Sequence, residues 1–106
     1  MDVDKIKLAP ADFHPHLKAR MLQRGVTEEE VEQTLRNGWQ ADDAKLGTDG
    51  KVFVFPYNAQ WESKSFAEKE VTVYYKFIRG KFMLLTVKAR YGMAFSKGGG
   101  VSENRI

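Results

Sequence analysis

Three side chains at helical spacing offer the most pointed chemistry in this sequence: His16, Arg20 and Arg24, each four residues after the last. An imidazole, with its ordinary pKa close to neutrality, can give or take a proton. A guanidinium one turn further on can hold a phosphate. The combination suits attack of a ribose 2′-hydroxyl on the adjacent phosphate, a reaction that needs a base, an acid and cations around its transition state. His16 is the acid/base candidate and Arg20 a phosphate clamp. There are simpler uses for both ends of the series. His16 can be a partly buried, hydrogen-bonded histidine, and Arg24, directly before Gly25, can cap helix carbonyls. A second set lies late in the chain, where Tyr74, Lys76, Phe82, Lys88 and Arg90 interleave aromatic rings with cations. That alternation holds single-stranded nucleic acid by stacking and phosphate contact. Tyr74, Lys76, Lys88 and Arg90 are therefore the candidate nucleic-acid-binding residues. Arg90 and Tyr91 join His16 and Arg20 as candidate catalytic residues, with Tyr91 or Tyr74 placed to stack a base or assist proton transfer. Lys88 and Arg90 can equally pair with Glu70 and Glu68 across strands. Exposed pairs of that kind are worth ~0–1 kcal/mol and leave the cations able to meet phosphate.

Other chemistries are excluded by residue type. The chain has no cysteine, so disulfides, a thiol nucleophile and thiolate zinc sites are absent. His14-Pro15-His16 lacks further ligands for a zinc site, and there is no P-loop, dinucleotide fingerprint or serine elbow. Neither a metal nor a cofactor is expected. No apolar run approaches the ~18 residues of a membrane span, so no membrane association is expected. Met1 to Ala11 alternates charges with single apolar residues and does not read as a secretory signal. A reducing, cytoplasmic setting fits.

The charge is uneven. Residues 1–50 hold seven Lys/Arg against ten Asp/Glu, and residues 51–106 hold ten against four; eleven of the thirteen aromatics also lie after residue 50. A basic, aromatic half suggests an anionic partner, although aromatic-rich strands and acidic helix starts produce the same asymmetry.

The elements that must position these residues follow from patterning. Residues 1–12 read as a loose lead-in, residues 13–91 as one domain, and residues 92–106, with Gly98-Gly99-Gly100, as a flexible tail. Phe13, Leu17 and Met21 form the apolar stripe of a first helix ending at Arg24, and Gly25 stops it. Thr27 and Glu30 make a capping box for a second helix, with Val26 and Val31 as its hydrophobic staple. The Glu28-Glu29-Glu30 run is helix chemistry rather than a metal site. Gly38 suits a left-handed C′ position. Lys51 to Phe55 reads as a strand that Pro56 ends or places at a sheet edge; Tyr57 to Lys64 is either loop or short strand.

Glu70 to Ile78 and Lys81 to Tyr91 form a hairpin turning at Arg79-Gly80. A three-residue loop with a bulge at Gly80 sets Tyr75 opposite Met83, Val73 opposite Leu85 and Val71 opposite Val87, a wholly apolar face. The fold class is thus α+β: two N-terminal helices on one face of a 3–5 stranded antiparallel sheet. Leu17, Met21, Val31, Leu35, Val73, Tyr75, Leu85 and Val87 should be buried. Alternation points Tyr91 toward the helices and Arg90 away from them.

The run His16-Leu17-Lys18-Ala19-Arg20-Met21-Leu22-Gln23-Arg24-Gly25-Val26, followed by Thr27-Glu28-Glu29-Glu30-Val31, resembles the opening of the bacterial domain-of-unknown-function family 4258. The Lys51 to Phe55 and Leu84 to Val87 strands also match its layout, so the resemblance covers about residues 13–91. That family is similar in layout to BrnT-like and RelE-like toxins, which are metal-independent ribonucleases with a cognate antitoxin. The resemblance implies a toxin-like RNA-binding domain, with RNA and a cognate antitoxin or other protein as partners and endoribonuclease activity as its chemistry. The alternatives are a non-catalytic interaction module for nucleic acid or protein, or an immunity- or antitoxin-like protein using the acidic segment Glu28 to Asp49.

Overall fold

Both helices begin where side chains satisfy the free backbone groups and end at a glycine whose amide bonds back to the last turn. In the computed structural model, which describes residues 3–97, α1 spans Pro15–Arg24 and α2 spans Glu28–Asn37. His14 caps α1: its Nδ1 accepts from the Leu17 amide at 3.2 Å. Its Nε2 donates to the Leu84 carbonyl at 3.0 Å, so one tautomer ties the helix start to the sheet. Gly25 ends α1 in the left-handed region at φ 72°. Thr27 and Glu30 form the expected capping box of α2, with bonds of 3.1 and 3.0 Å. Gly38 is not left-handed but extended, at φ −78° and ψ 174°. A Cβ there would lie 2.4 Å from the Val52 carbonyl oxygen; close approach to the sheet, not turn geometry, requires glycine.

The sheet has four antiparallel strands in the order β1 (Trp39–Gln40), β2 (Asp49–Trp61), β3 (Lys64–Ile78) and β4 (Lys81–Gly92). Two helices and a four-stranded antiparallel sheet make the protein α+β. No helix among the described residues is long and apolar enough to cross a membrane. The 57–64 stretch is strand and turn: β2 runs through Pro56 to Trp61, and Glu62 and Ser63, both at positive φ, form the turn. Because β1 pairs only with Lys51 and Val52, β2 is itself the sheet edge at Pro56. There the missing amide donor is harmless. The register shifts between Pro56 and Ala59, with Asn58 at φ 47°.

The β3–β4 register differs from the sequence expectation. Arg79 (φ 53°) and Gly80 (φ 77°) make a two-residue turn, and Ile78 pairs with Lys81. The extra residue needed for face consistency is Leu85, a bulge within β4: Tyr75 pairs with Leu84 but Tyr74 with Thr86. A tight primed turn and an apolar face are thereby both satisfied. Tyr75 therefore meets Leu84, Val73 meets Val87 and Val71 meets Ala89. Leu84 is buried in place of Leu85, which lines the opposite face, and Met83 is 42% exposed. Phe82, expected among the basic outer-face residues, packs on the core instead. The other expected core residues, Leu17, Met21, Val31, Leu35, Val73, Tyr75 and Val87, are buried together.

The described residues of the two segments expected to be loose are packed or hydrogen-bonded. Val3 is buried, Ile6 and Leu8 pack on the core, and the Leu8 amide donates to Glu32 at 3.3 Å. After β4, the Phe95 amide and Lys97 ammonium bond Glu68 at 2.9 and 2.7 Å. The glycine run and the remainder of the expected tail, residues 98–106, lie outside the described residues.

Candidate functional site

The candidate residues fall on two surfaces separated by the sheet. On the face away from the helices, Tyr74, Thr72 and Glu70 of β3 alternate outward opposite Thr86, Lys88 and Arg90 of β4. The connection between β1 and β2 crosses this face. Its Asp43 accepts from the Tyr74 hydroxyl at 2.9 Å and from the Lys88 ammonium at 2.5 Å, and that ammonium lies 5.7 Å from the Tyr74 ring centroid. Two adjoining depressions of about 410 and 320 Å³ meet at Asp43 and Lys88. Arg90 is held by both oxygens of Glu70, at 2.7 and 3.1 Å, and stacks 4.9 Å over Phe95. The partners are thus Asp43 for Lys88 and Glu70 for Arg90, not Glu70 and Glu68. The displacement is two residues, one from the two-residue turn and one from the bulge at Leu85. Lys76 is half-buried on the same face opposite Met83.

Hydrogen bonds from Lys88 and then Tyr74 hold the Asp43 carboxyl below its usual range, and the bond to Asp43 holds Lys88 above its own. Burial raises the Tyr74 phenol, and Glu70 raises Arg90. A lowered carboxylate pKa stabilises the fold above the unfolded value and loses that contribution as pH falls through the folded one. The raised Lys88 value acts in reverse, losing its contribution above the ordinary lysine range. The pair therefore contributes between about pH 4 and pH 10. With side chains 47% and 44% exposed, screening limits it to ~1 kcal/mol or less. Asp43→Asn is expected to reduce the acid-side fall in melting temperature by no more than about 4–8 °C, and 1 M salt should erase the difference. An unchanged acid limb at low salt would show that the pair contributes nothing.

The other surface is built on α1. His16 is exposed and stacks on His14, with ring centroids 6.2 Å apart and planes 9° apart. The hydrogen-bonded histidine of the pair is His14. Arg20 and Arg24 are half-buried on the same flank, and α1 contains Lys18 but no acidic residue. Among the described residues, none of these cations meets a carboxylate, and the Arg24 side chain caps no helix carbonyl. Its backbone carbonyl accepts instead from the Tyr91 hydroxyl at 2.6 Å. Burial, with smaller contributions from Tyr57, Glu30 and Glu62, pushes that phenol up to about 12. Tyr91 is accordingly a fixed donor at the helix end, with its proton already committed.

Around Tyr91 lie Tyr57, Trp61 and Phe66, at centroid distances of 5.2, 4.8 and 5.8 Å. Beneath them Lys69, 3% exposed, donates to the Gly25 carbonyl and to Glu30 at 2.7 Å, and lies 5.6 Å from the Tyr57 and Tyr91 rings.

The structure thus brings His16, Arg20 and Tyr91 onto the helix side, with Tyr91 at the far end of α1, and places Arg90 on the other face. Tyr74 and Lys88 share a depression, with Arg90 in the adjoining one. Sequence patterning does not single out Asp43 or Lys69. Asp43 lies in a polar stretch without periodicity; Lys69 carried a signal, a cation in register with the inward residues Val71, Val73 and Tyr75. Among the described residues no group of three metal-ligating side chains gathers. No protein-family model, curated protein or solved structure matches the chain.

Proposed function

We propose that the protein is a toxin-like RNA-binding domain that holds phosphates along the α1 flank formed by His16, Arg20 and Arg24, with Lys18 on the same helix. The distribution of ion pairs carries the reading. Lys88 and Arg90 on the outer face are already engaged by Asp43 and Glu70, whereas the α1 cations meet no carboxylate among the described residues. An anion gains most where it displaces no internal carboxylate. The acidic surface of a cognate antitoxin or another protein partner would compete for the same cations. With a single-stranded RNA dodecamer, affinity should fall steeply as salt rises. Arg20→Ala and Arg24→Ala should each weaken binding and reduce the salt slope by about one charge, while Lys88→Ala and Arg90→Ala should do less. Salt-insensitive binding, or none at low salt, removes RNA from the account.

A metal-independent endoribonuclease is the second reading, favoured by the exposed imidazole of His16 one turn before Arg20. His16 would take the 2′-hydroxyl proton as that oxygen attacks the adjacent phosphorus. The 5′-oxygen leaves with a proton taken from solvent water, giving a 2′,3′-cyclic phosphate and a 5′-hydroxyl, and the protonated His16 then returns its proton to the hydroxide. Arg20 would face the charge gathering on the phosphoryl oxygens. In the same assay, cleavage by the parent that is lost in His16→Ala without loss of folding selects this reading; binding without cleavage selects the non-catalytic module.

A further inference from the structure

We propose that Trp61 is a stacking site for an unpaired base, which makes single-stranded RNA the ligand of the α1 flank; the inference rests on the RNA-binding reading above. Four rings, Tyr57, Trp61, Phe66 and Tyr91, gather at the end of α1, all of them partly exposed and none within the central core cluster. Tyr91 has a structural task, since its hydroxyl ends α1 through the Arg24 carbonyl. Trp61 has a different standing. It lies nearly parallel to Tyr91, with planes 10° apart, and its indole N–H has no protein acceptor among the described residues. It is also adjacent to the cation line. A Cβ on Gly25, the residue after Arg24, would lie 2.5 Å from Trp61 Cζ3. Gly25 therefore abuts Trp61, so the ring stands next to the C-terminal end of the cation line on α1. Phosphate contact beside an aromatic ring is the arrangement by which proteins hold single strands, and paired bases in a duplex cannot reach such a ring.

The test uses the emission of Trp61. In a Trp39→Phe background, Trp61 is the sole tryptophan, and the protein is titrated with an oligoadenylate dodecamer and with a twelve-base-pair RNA duplex. A stacked base should quench the emission by roughly half or more with the single strand and leave it little changed with the duplex. Trp61→Ala should weaken single-strand binding about 5- to 150-fold, the range expected for one base–aromatic stack, and Trp61→Phe should retain most of the affinity. Salt-sensitive single-strand binding with unchanged Trp61 emission overturns the stacking site and leaves the α1 reading standing. So does Trp61→Phe losing as much affinity as Trp61→Ala. The emission measurement needs no change at Trp61, so a misfolded alanine variant does not spare the proposal. Absence of salt-sensitive binding to either RNA overturns both readings.

Discussion

Glu30→Ala is expected to cost about 3–5 kcal/mol of stability, which for a domain of this size lowers the melting temperature by roughly 12–40 °C. The magnitude comes from the charge left behind. Lys69 is 3% exposed beneath Tyr57 and Tyr91, and its ammonium has two oxygen partners, the Gly25 carbonyl and Glu30. Without the carboxylate, a buried cation keeps one neutral acceptor and two aromatic faces. Glu30 also accepts the Thr27 amide in the capping box, a contribution of about 1 kcal/mol within the total. The reverse change should cost less. In Lys69→Met the stem is replaced by an apolar side chain of similar length. Glu30, with 20% of its side chain exposed, keeps the Thr27 bond and can take up water. Adding Lys69→Met to Glu30→Ala should therefore restore part of the lost stability, because it removes the stranded charge. Urea unfolding of the two single variants and the double variant measures each term. A double variant less stable than Glu30→Ala alone would show that Lys69 stabilises through packing rather than as half of an ion pair.

The same residues show what sequence patterning carries and what it hides. Capping chemistry is local, and Thr27, Glu30, Val26 and Val31 declare α2 within six residues; the box forms and both valines are buried. Face assignment by alternation is also legible. Arg90 and Tyr91 lie on opposite sides of the sheet, and that separation divides the candidate catalytic set. Register is less legible, because a single inserted residue can be absorbed at the turn or inside the strand, and both give an apolar face. The chain absorbs it at Leu85, which exchanges Leu84 for Leu85 in the core and moves Lys88 away from Glu70. Tertiary pairs such as Asp43 with Lys88, or Glu30 with Lys69, join segments 45 and 39 residues apart. Nothing in local periodicity marks one surface carboxylate over its neighbours. Glu30 explains why a run of glutamates reads as helix chemistry and is still more than that: one carboxylate serves the helix start and the buried cation at once.

Gly25→Ala is expected to destabilise by roughly 2–5 kcal/mol, combining ~1–2 kcal/mol for a left-handed alanine with ~1–3 kcal/mol for overpacking. The backbone part follows from φ 72°. The packing part follows from the added Cβ, which would lie 2.5 Å from Trp61 Cζ3 and 2.8 Å from the Tyr91 hydroxyl oxygen. Gly47 separates the two contributions. It has φ 86° with nothing within 4 Å of an added Cβ, so Gly47→Ala should show the backbone cost alone, ~1–2 kcal/mol. Equal losses in the two variants would mean that the rings yield freely and that Gly25 is held only by its turn. A larger loss at Gly25 means that Trp61 or Tyr91 has been pushed, which the near-ultraviolet circular dichroism of the stacked pair reports. The consequence for binding then separates charge from stacking. With Trp61 displaced and Arg20 and Arg24 still on α1, Gly25→Ala should keep the salt dependence of RNA binding and lose the quenching of Trp61. Loss of both together would instead mean that the end of α1 had unravelled, because the clash falls one residue from Arg24 and on the hydroxyl that holds its carbonyl.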